Sequence, residues 1–538
     1  MSLRSVLLVS ALCCVFAPSA MAMDPPSAPV YAQSTTEEFR IPTDYGSIYG
    51  WVTRPVVPAG VKVPVILTYS PYNAEEGPVP GDPAGLDGTR AYYVPRGYAR
   101  AVVDLVGTNR SGGCTDYGGI REQKTGYDVV EYLGTRGWSN GKVGMIGGSY
   151  DGTTQWATAI QDPPHLAAIV PQVAISRWWD YAYGQGVRFY SGYGTPLLFD
   201  VGFAQARTVS PTDPDPVAEA QSLPDEANPC DDVEHQERGY LPNPVHDAFW
   251  DERDYRAHAD KIRTPVLIEG SWIDPNVHPI NTYEIWKALP PSLFKMMRMG
   301  RQGHGASDID KAEQTRQAFF DRFLLGRDSG VEALPKVVSR DNLADAKGIA
   351  YPDWPPPGTQ SKTLTLGASG EATDRLVGTA TTWTDDDPHY SASDAYAGGS
   401  NVSKDASILF LSAPQTATKK IAGVATLDVA LQTSAVGTYV TPVLFEQNAA
   451  GTRTTITTGL LNSRNRDSIR TSSEFPAGST WRAVVRFQPT HYRVAKGSRI
   501  GLALMSMNAD EAFYGDTTQA TNTILLDQDP KLEIPFAP

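Results

Sequence analysis

Short apolar runs alternate with amphipathic segments through the first 325 residues of the chain. The apolar runs lie at residues 63–69, 99–106, 143–147, 167–173, 265–270 and 294–299. Segments with helical spacing lie at 126–134, 153–160 and 312–325. An unbroken apolar run of this length is typical of a strand that is covered on both faces. The alternation of such strands with helices predicts an α/β domain with a mostly parallel sheet.

The pattern changes at the edges of this domain and once inside it. Residues 37–42 and 48–52 predict an antiparallel hairpin before the first buried strand. Between about 175 and 260 the alternation stops, and the chain is rich first in aromatic residues and then in Pro and Asp. We interpret this segment as a helical cap inserted into the domain. The Pro-rich segment 351–358 predicts a linker, so we expect the α/β domain to cover residues 23–350.

Beyond the predicted linker the pattern is that of strands alone. The β-rich runs lie at residues 363–366, 408–411, 425–431, 440–445, 481–487 and 500–505. Gly, Ser, Asn and Asp separate them, as turns between short strands require. We therefore expect a C-terminal all-β domain over residues 358–538, built as a β-sandwich or jelly roll.

The first 22 residues have the pattern of an export signal. Arg4 supplies the positive charge, residues 6–16 are apolar, and Ala20-Met21-Ala22 forms an A-x-A cleavage site. A membrane anchor is the alternative, but a helix that spans the bilayer needs about 20 apolar residues. We expect a signal peptide over residues 1–22 and a mature protein that is secreted or periplasmic. No other long apolar run occurs, so no membrane span is expected.

Cysteine count and charge narrow the environment and the partners. Without the signal peptide two cysteines remain, Cys114 and Cys230. In an oxidising compartment they are a possible disulfide, and two separate buried thiols are the alternative. The net charge is −14 and no Lys/Arg-rich run occurs, which excludes nucleic acid as a partner. Neither feature predicts an oligomeric state.

A glycine-flanked serine follows one of the buried strands. Strand 143–147 runs into Gly147-Gly148-Ser149-Tyr150-Asp151-Gly152, and a helical segment follows. A nucleophile elbow of the α/β-hydrolase fold needs this context, because small residues must flank the serine in a sharp turn. The sequence departs from G-x-S-x-G, since Asp151 occupies the last glycine position. A plain strand-to-helix turn is the alternative interpretation.

An acid and a base follow Ser149 in the chain order of an α/β hydrolase. Asp274 comes after strand 265–270, and His304 comes after strand 294–299 in a glycine-flanked loop. All three residues fall at the carboxyl edge of the predicted sheet, where α/β proteins build their sites. His278 is the rival base, but it shares a loop with the acid. Glu269 is the rival acid, but it lies within the strand.

At these motifs the chain resembles a known family, the S15-type serine hydrolases that include X-prolyl dipeptidyl peptidases and cocaine-esterase-like enzymes. The family elbow is G-x-S-Y-x-G, which residues 147–152 match, and the family acid motif Gly-Trp-x-Asp appears loosened in 270–274. Similar segments also lie at 103–113, 138–144, 322–326 and 476–500. The resemblance covers nearly the whole mature chain. It implies an α/β-hydrolase domain with a cap, followed by a jelly-roll-like domain.

The resemblance also implies an oxyanion hole. In the family a tyrosine in an Asn/Ser-Pro-Tyr turn donates its hydroxyl, together with the backbone N–H after the nucleophile. The matching turn is Ser70-Pro71-Tyr72, so the Tyr72 hydroxyl and the Tyr150 N–H are the expected donors. No metal and no cofactor is expected, because the triad alone forms and hydrolyses an acyl-enzyme.

Three functions remain open from the sequence. The first is an exopeptidase that removes N-terminal X-Pro dipeptides, with Asp180, Asp247, Asp251 and Glu252 of the cap as candidates to bind the substrate amine. The second is an esterase or amide acylase on small substrates, with the same triad and a different pocket. The third is a non-catalytic binding protein on a hydrolase scaffold, which the complete triad argues against.

Overall fold

The computed structural model describes residues 27–73, 88–190, 238, 244–386, 389–397, 405–512 and 518–538. The predicted signal peptide and most of the predicted cap lie outside these residues. The described parts form an α/β domain followed by a domain of mostly antiparallel strands, which confirms the predicted fold class.

The first domain is built on a ten-stranded sheet. Its strands are β1 (Ser34–Thr43), β2 (Gly46–Pro55), β3 (Val63–Ser70), β4 (Ala99–Asp104), β5 (Ser139–Gly148), β6 (Leu166–Gln172), β9 (Val266–Ser271), β10 (Lys295–Gly300), β11 (Val337–Ser339) and β12 (Ile349–Tyr351). They lie in the order β1-β2-β4-β3-β5-β6-β9-β10-β11-β12. The strands from β4 to β11 are parallel, and antiparallel strands flank them at both edges. A short hairpin, β7 (Tyr183–Gly184) with β8 (Val187–Arg188), stands apart from the sheet.

Helices cover both faces of this sheet, as the apolar strands require. The described α-helices are α1 (Gly88–Tyr93), α2 (Ile120–Gly134), α3 (Tyr150–Ala159), α4 (Trp178–Ala182), α5 (Ala248–Glu252), α6 (Ile280–Ala288), α7 (Ala312–Phe323) and, in the second domain, α8 (Ala392–Ala397). Short 3₁₀ segments lie at Val94–Arg96, Tyr255–Lys261, Val331–Ala333 and Ser463–Asn465. Successive residues of β3 join different cores: Val65 and Leu67 pack with α2 and α3, whereas Ile66 packs with α7.

The second domain is a fourteen-stranded arrangement. Its strands are β13 (Gln360–Gly367), β14 (Arg375–Val377), β15 (Thr382–Thr384), β16 (Ser407–Leu411), β17 (Lys419–Gly423), β18 (Thr426–Thr433), β19 (Tyr439–Gln447), β20 (Arg453–Thr458), β21 (Leu461–Asn462), β22 (Thr480–Arg486), β23 (Thr490–Val494), β24 (Arg499–Met505), β25 (Thr521–Ile524) and β26 (Lys531–Ala537). Burial alternates residue by residue along β22, so one face of that strand packs on the domain core and the other meets solvent.

The predicted linker 351–358 is firmly packed. Trp354 is 3% exposed, and its ring lies 5.0 Å from the ring of Trp272, which follows strand β9. The same ring lies 5.0 Å from His491 on strand β23 of the second domain. The Pro-rich segment therefore holds an aromatic anchor that contacts both domains.

Candidate active site

Ser149 stands at a sharp turn between strand β5 and helix α3. Its backbone has φ 57° and ψ −121°, a strained conformation that persists only where the surrounding structure holds it. The Ser149 N–H donates to the Gln172 carbonyl at 2.9 Å, and the Thr153 N–H donates to the Ser149 carbonyl at 3.0 Å. A Cβ on Gly152 would lie only 2.8 Å from the Cβ of Ala174, so the turn needs glycine there. This is the geometry of a nucleophile elbow.

Two hydrogen-bond donors lie beside Ser149. Tyr72 follows the end of strand β3, and its backbone N–H donates to the Ser70 hydroxyl at 3.0 Å. The Tyr72 hydroxyl forms hydrogen bonds with the Ser149 side chain and with the backbone N–H of Tyr150. Partial burial raises the pKa of Tyr72 to about 12, so the hydroxyl keeps its proton at neutral pH. The structure thus brings both expected oxyanion donors next to the expected nucleophile.

Asp274 and His304 meet at the same edge of the sheet. Asp274 follows β9 and His304 follows β10, and these strands are parallel neighbours. The Nδ1 atom of His304 lies 2.9 Å from Asp274 Oδ2 and 3.1 Å from Oδ1. The N–H groups of Asn276 and Val277 donate to Asp274 Oδ1 at 2.8 and 3.0 Å. Burial raises the pKa of Asp274, while its bond to His304 opposes the rise. With Nδ1 bonded to the carboxylate, Nε2 is the nitrogen that remains for proton transfer.

Neither rival residue has the geometry of a catalytic group. His278 is 3% exposed and stacks on Phe189 with ring centroids 3.8 Å apart. Burial lowers the pKa of His278 to about 4, and its ring nitrogens have no hydrogen-bond partner among the described residues. Glu269 is fully buried inside β9, where it accepts a hydrogen bond from Gln172 at 2.7 Å.

Some residues that support the site were not predicted from the sequence. The loop that carries His304 is tied at its start, because the Arg301 N–H donates to Asp308 at 3.0 Å and Asp308 pairs with Arg340. These partners come from separate segments, so no local motif marks them. Asn276 is different: Asp274-Pro275-Asn276 is a turn sequence in which an aspartate accepts from the N–H two residues on, and that signal was available.

Two models of known protein families match the chain. Residues 48–306 match the family model of X-Pro dipeptidyl-peptidase (S15 family), and residues 329–528 match that of the X-Pro dipeptidyl-peptidase C-terminal non-catalytic domain. The chain belongs to the S15 family. A Streptomyces avermitilis relative, provisionally named Xaa-Pro dipeptidyl-peptidase, is 32% identical over 391 residues, 63% of this chain and 52% of the relative. This chain therefore spans about half the length of that curated relative.

Solved structures of similar fold cover almost the whole S15 chain. A CocE/NonD family hydrolase from Staphylococcus aureus superposes with a TM-score of 0.72 at 17% identity, covering 93% of this chain and 94% of that one. An α-amino acid ester hydrolase gives a TM-score of 0.73 at 18% identity, covering 98% and 100%. At these identities the likeness shows a shared two-domain fold.

The four cap carboxylates considered for amine recognition all have partners in this S15 chain. Asp180 pairs with Arg177 and Arg256, Asp247 with Arg238, Asp251 with Arg470, and Glu252 with Arg253 and the Ile120 N–H. Although burial opposes it, the arginines lower the pKa of Asp180. None of the four carboxylates is therefore unpaired and available to bind a substrate ammonium group.

A cavity of about 590 Å³ lies between the described cap segments and the second domain. Trp179, Phe189, Phe487 and Glu511 are among its walls. No residue of the predicted triad or oxyanion hole is among the described residues that line it. The predicted chemistry therefore lies outside this cavity.

The remaining predictions concern the cysteines, metals and the membrane. Cys114 is disulfide-bonded, while Cys230 lies outside the described residues, so their pairing stays a prediction. No group of three or more His, Cys, Asp or Glu side chains that could hold a metal occurs among the described residues. In the same part of the chain no helix is both long and apolar enough to cross a membrane.

Proposed function

We propose that the chain is a secreted serine hydrolase that forms an acyl-enzyme at Ser149 and removes X-Pro dipeptides from the N-termini of peptides. One observation carries the hydrolase part of this proposal. The Tyr72 hydroxyl and the Tyr150 N–H converge beside Ser149, while the His304–Asp274 pair stands at the same sheet edge. Such a set of nucleophile, base, orienting acid and oxyanion donors is the requirement for acyl transfer.

In the proposed mechanism each group has one role. His304 takes the Ser149 proton as the hydroxyl attacks the substrate carbonyl, and it returns the proton to the leaving group. Asp274 holds the imidazole tautomer and stabilises the imidazolium. The Tyr72 hydroxyl and the Tyr150 N–H donate to the developing oxyanion, and one such donor contributes about 3 kcal/mol. Water then hydrolyses the acyl-enzyme by the same steps.

The X-Pro part of the proposal rests on the S15 family and on the names of the curated relatives. A Streptococcus sanguinis Xaa-Pro dipeptidyl-peptidase is 27% identical over 323 residues, which are 55% of this chain and 41% of that protein. Because the match covers less than half of that protein, its substrate carries over to this chain only as a proposal.

Hydrolysis of small esters or amides is the second candidate function. One observation favours it: the cap carboxylates Asp180, Asp247, Asp251 and Glu252 are all engaged in ion pairs. An exopeptidase needs a group that binds a free α-amino group, whereas an esterase with the same triad does not.

Two chromogenic substrates separate these functions. We would incubate the purified mature protein with Gly-Pro-p-nitroanilide and with p-nitrophenyl butyrate, beside a Ser149→Ala control. Cleavage of the anilide that the control lacks supports the X-Pro peptidase. Cleavage of the ester alone, again dependent on Ser149, favours the esterase. Equal hydrolysis by Ser149→Ala would contradict the nucleophile and the mechanism together.

Export and the disulfide are part of the proposal and have their own test. Mass spectrometry of the protein from an exporting host is expected to find a chain that begins after Ala22. Peptide mapping without reduction is expected to join the peptides that contain Cys114 and Cys230. An intact N-terminus, or alkylation of both thiols without reduction, would contradict these two points.

A further inference from the structure

The side chain of Tyr150 is anchored on the buried side of the elbow. Tyr150 is 3% exposed, and its hydroxyl donates to Glu122 at 2.8 Å from Oε1 and 2.9 Å from Oε2. Its ring packs edge-on against Trp178 with the centroids 5.2 Å apart. Tyr150 thus has its backbone N–H beside Ser149 and its hydroxyl on a carboxyl group in another helix.

Glu122 is itself held in place. It lies in the first turn of α2 and is 1% exposed. Besides the Tyr150 hydroxyl, it accepts backbone hydrogen bonds from Gly118 and Asp116. The start of α2 is fixed by Asp116, which accepts from the Arg121 N–H at 2.7 Å, and the carbonyl of Asp116 accepts from Arg253 at 2.6 Å. The carboxyl group is therefore a fixed point rather than a mobile side chain.

The elbow needs such a fixed point. Residue 149 is strained at φ 57°, and strained backbone relaxes unless its neighbours over-determine it. Tyr150 is the next residue, and its N–H must aim at an oxyanion to within a few tenths of an ångström to act. A bond from its hydroxyl to Glu122 fixes the ring, and the ring fixes the Cα position and hence the N–H.

We propose that Glu122 is a positioning residue that holds Tyr150 and thereby the oxyanion-hole N–H. The inference rests on the proposed serine-hydrolase function. Glu122 touches neither substrate nor Ser149 in this role; it acts only through Tyr150.

The charge state of Glu122 gives this role a pH signature. Burial, with the nearby charge of Asp116, raises the pKa of Glu122 to about 8. This shift favours the protonated carboxyl at neutral pH. The other titratable groups that interact with Glu122 are Tyr69, Tyr150 and Tyr255, while Arg253 and Glu252 interact with Asp116. As the pH rises through 8, a negative charge forms on the buried group that holds Tyr150. Like charges repel, so this charge opposes the developing oxyanion and kcat is expected to fall.

Substitutions at both ends of the bond test the role. With p-nitrophenyl butyrate as substrate, Tyr150→Phe and Glu122→Met are each expected to lower kcat at pH 7 about tenfold with KM little changed. The double variant should be no worse than either single one, because both remove the same bond. Glu122→Gln keeps an acceptor but does not ionise. It is expected to recover most of the kcat lost in Glu122→Met and to lack the fall above pH 8.

A second buried tyrosine–carboxylate pair supplies the control. The Tyr98 hydroxyl donates to Asp321 at 2.5 Å in the core around α7. Tyr98→Phe should lower the midpoint of thermal unfolding, as Tyr150→Phe does. Its kcat, and the fall of kcat above pH 8, should stay as in the wild type. If Tyr150→Phe had the same kcat as the wild type, or if Glu122→Gln still lost kcat above pH 8, the positioning role of Glu122 would be wrong and the proposed hydrolase function would be unaffected. Hydrolysis that survives Ser149→Ala would overturn the proposed function, and the inference with it.

Discussion

At the scale of single residues, Tyr72 is the group whose role is most open to a direct test. Its hydroxyl bonds to the Ser149 side chain and the Tyr150 N–H and stays protonated, since its pKa is about 12. Tyr72→Phe removes this donor and leaves the ring. We expect kcat to fall by about 10² to 10³ with KM little changed, as for loss of one oxyanion donor. Steady-state kinetics on p-nitrophenyl butyrate measures this, and a change in KM alone would refute the role.

His278 and His304 offer a second test at this scale. His278 is buried against Phe189 with a pKa lowered to about 4, whereas His304 is bonded to Asp274. His304→Ala is expected to abolish hydrolysis. His278→Phe should keep hydrolytic activity. Its free energy of unfolding should fall less than that of the wild type when the pH is lowered. The sign follows because a histidine whose folded pKa is lowered destabilises the fold as the pH drops below 6.5 towards 4. Urea denaturation at pH 7 and pH 4.5 compares His278→Phe with wild type.

The residues that sequence reasoning selects differ from those it misses in how their partners arise. Ser149, Asp274 and His304 each follow an apolar strand, so strand prediction alone puts them at one edge of a parallel sheet. Tyr72 is marked only by the resemblance to a family. The bond between Glu122 and Tyr150 joins two helices, and no local pattern in either segment predicts which buried polar side chains will meet.

At the scale of elements, two helices begin earlier than the apolar spacing predicts, and each early start has a physical reason. Apolar spacing predicts a helix over 153–160, but α3 begins at Tyr150 because the strained Ser149 serves as its N-cap. Likewise α2 begins at Ile120 and not at residue 126. Its first turn contains Glu122 and Gln123, two polar residues that are buried and hydrogen-bonded. A search for apolar spacing cannot detect buried residues of this kind.

Gly152 tests how tightly helix α3 must approach strand β6. A Cβ at this position would lie 2.8 Å from both the Ala174 Cβ and the Gln172 carbonyl oxygen. Gly152→Ala should therefore push α3 away, lower the free energy of unfolding by about 1 to 3 kcal/mol and reduce kcat. Gly137→Ala is the matched control, because a Cβ there meets nothing within 4 Å. Urea denaturation and kinetics on both variants decide the point; equal behaviour would contradict it.

At the scale of the whole molecule, the two domains are joined through aromatic packing near the acid of the site. The spacing of apolar residues correctly predicts an α/β half followed by a β half, since each half has its own periodicity. The interface between them has no periodicity of its own. Trp354 lies in a Pro-rich segment that resembles an exposed linker, yet it packs on Trp272 and His491. Trp272 lies two residues before Asp274, so this packing also holds the loop that carries Asp274, here called the acid loop.

Trp354→Ala is the prediction that belongs to this scale. It leaves a cavity between Trp272 and His491, and loss of a buried Trp typically costs about 3 to 5 kcal/mol. Because Trp272 lies two residues before Asp274, kcat should fall too. Trp354→Phe should retain most of the stability and most of kcat. Val484→Ala is the control: that side chain is 45% exposed on β22, so its effect should stay within about 0.5 kcal/mol. If Trp354→Ala unfolded in urea at the wild-type midpoint with full kcat, the second domain would not support the acid loop, and the two halves would act as independent units.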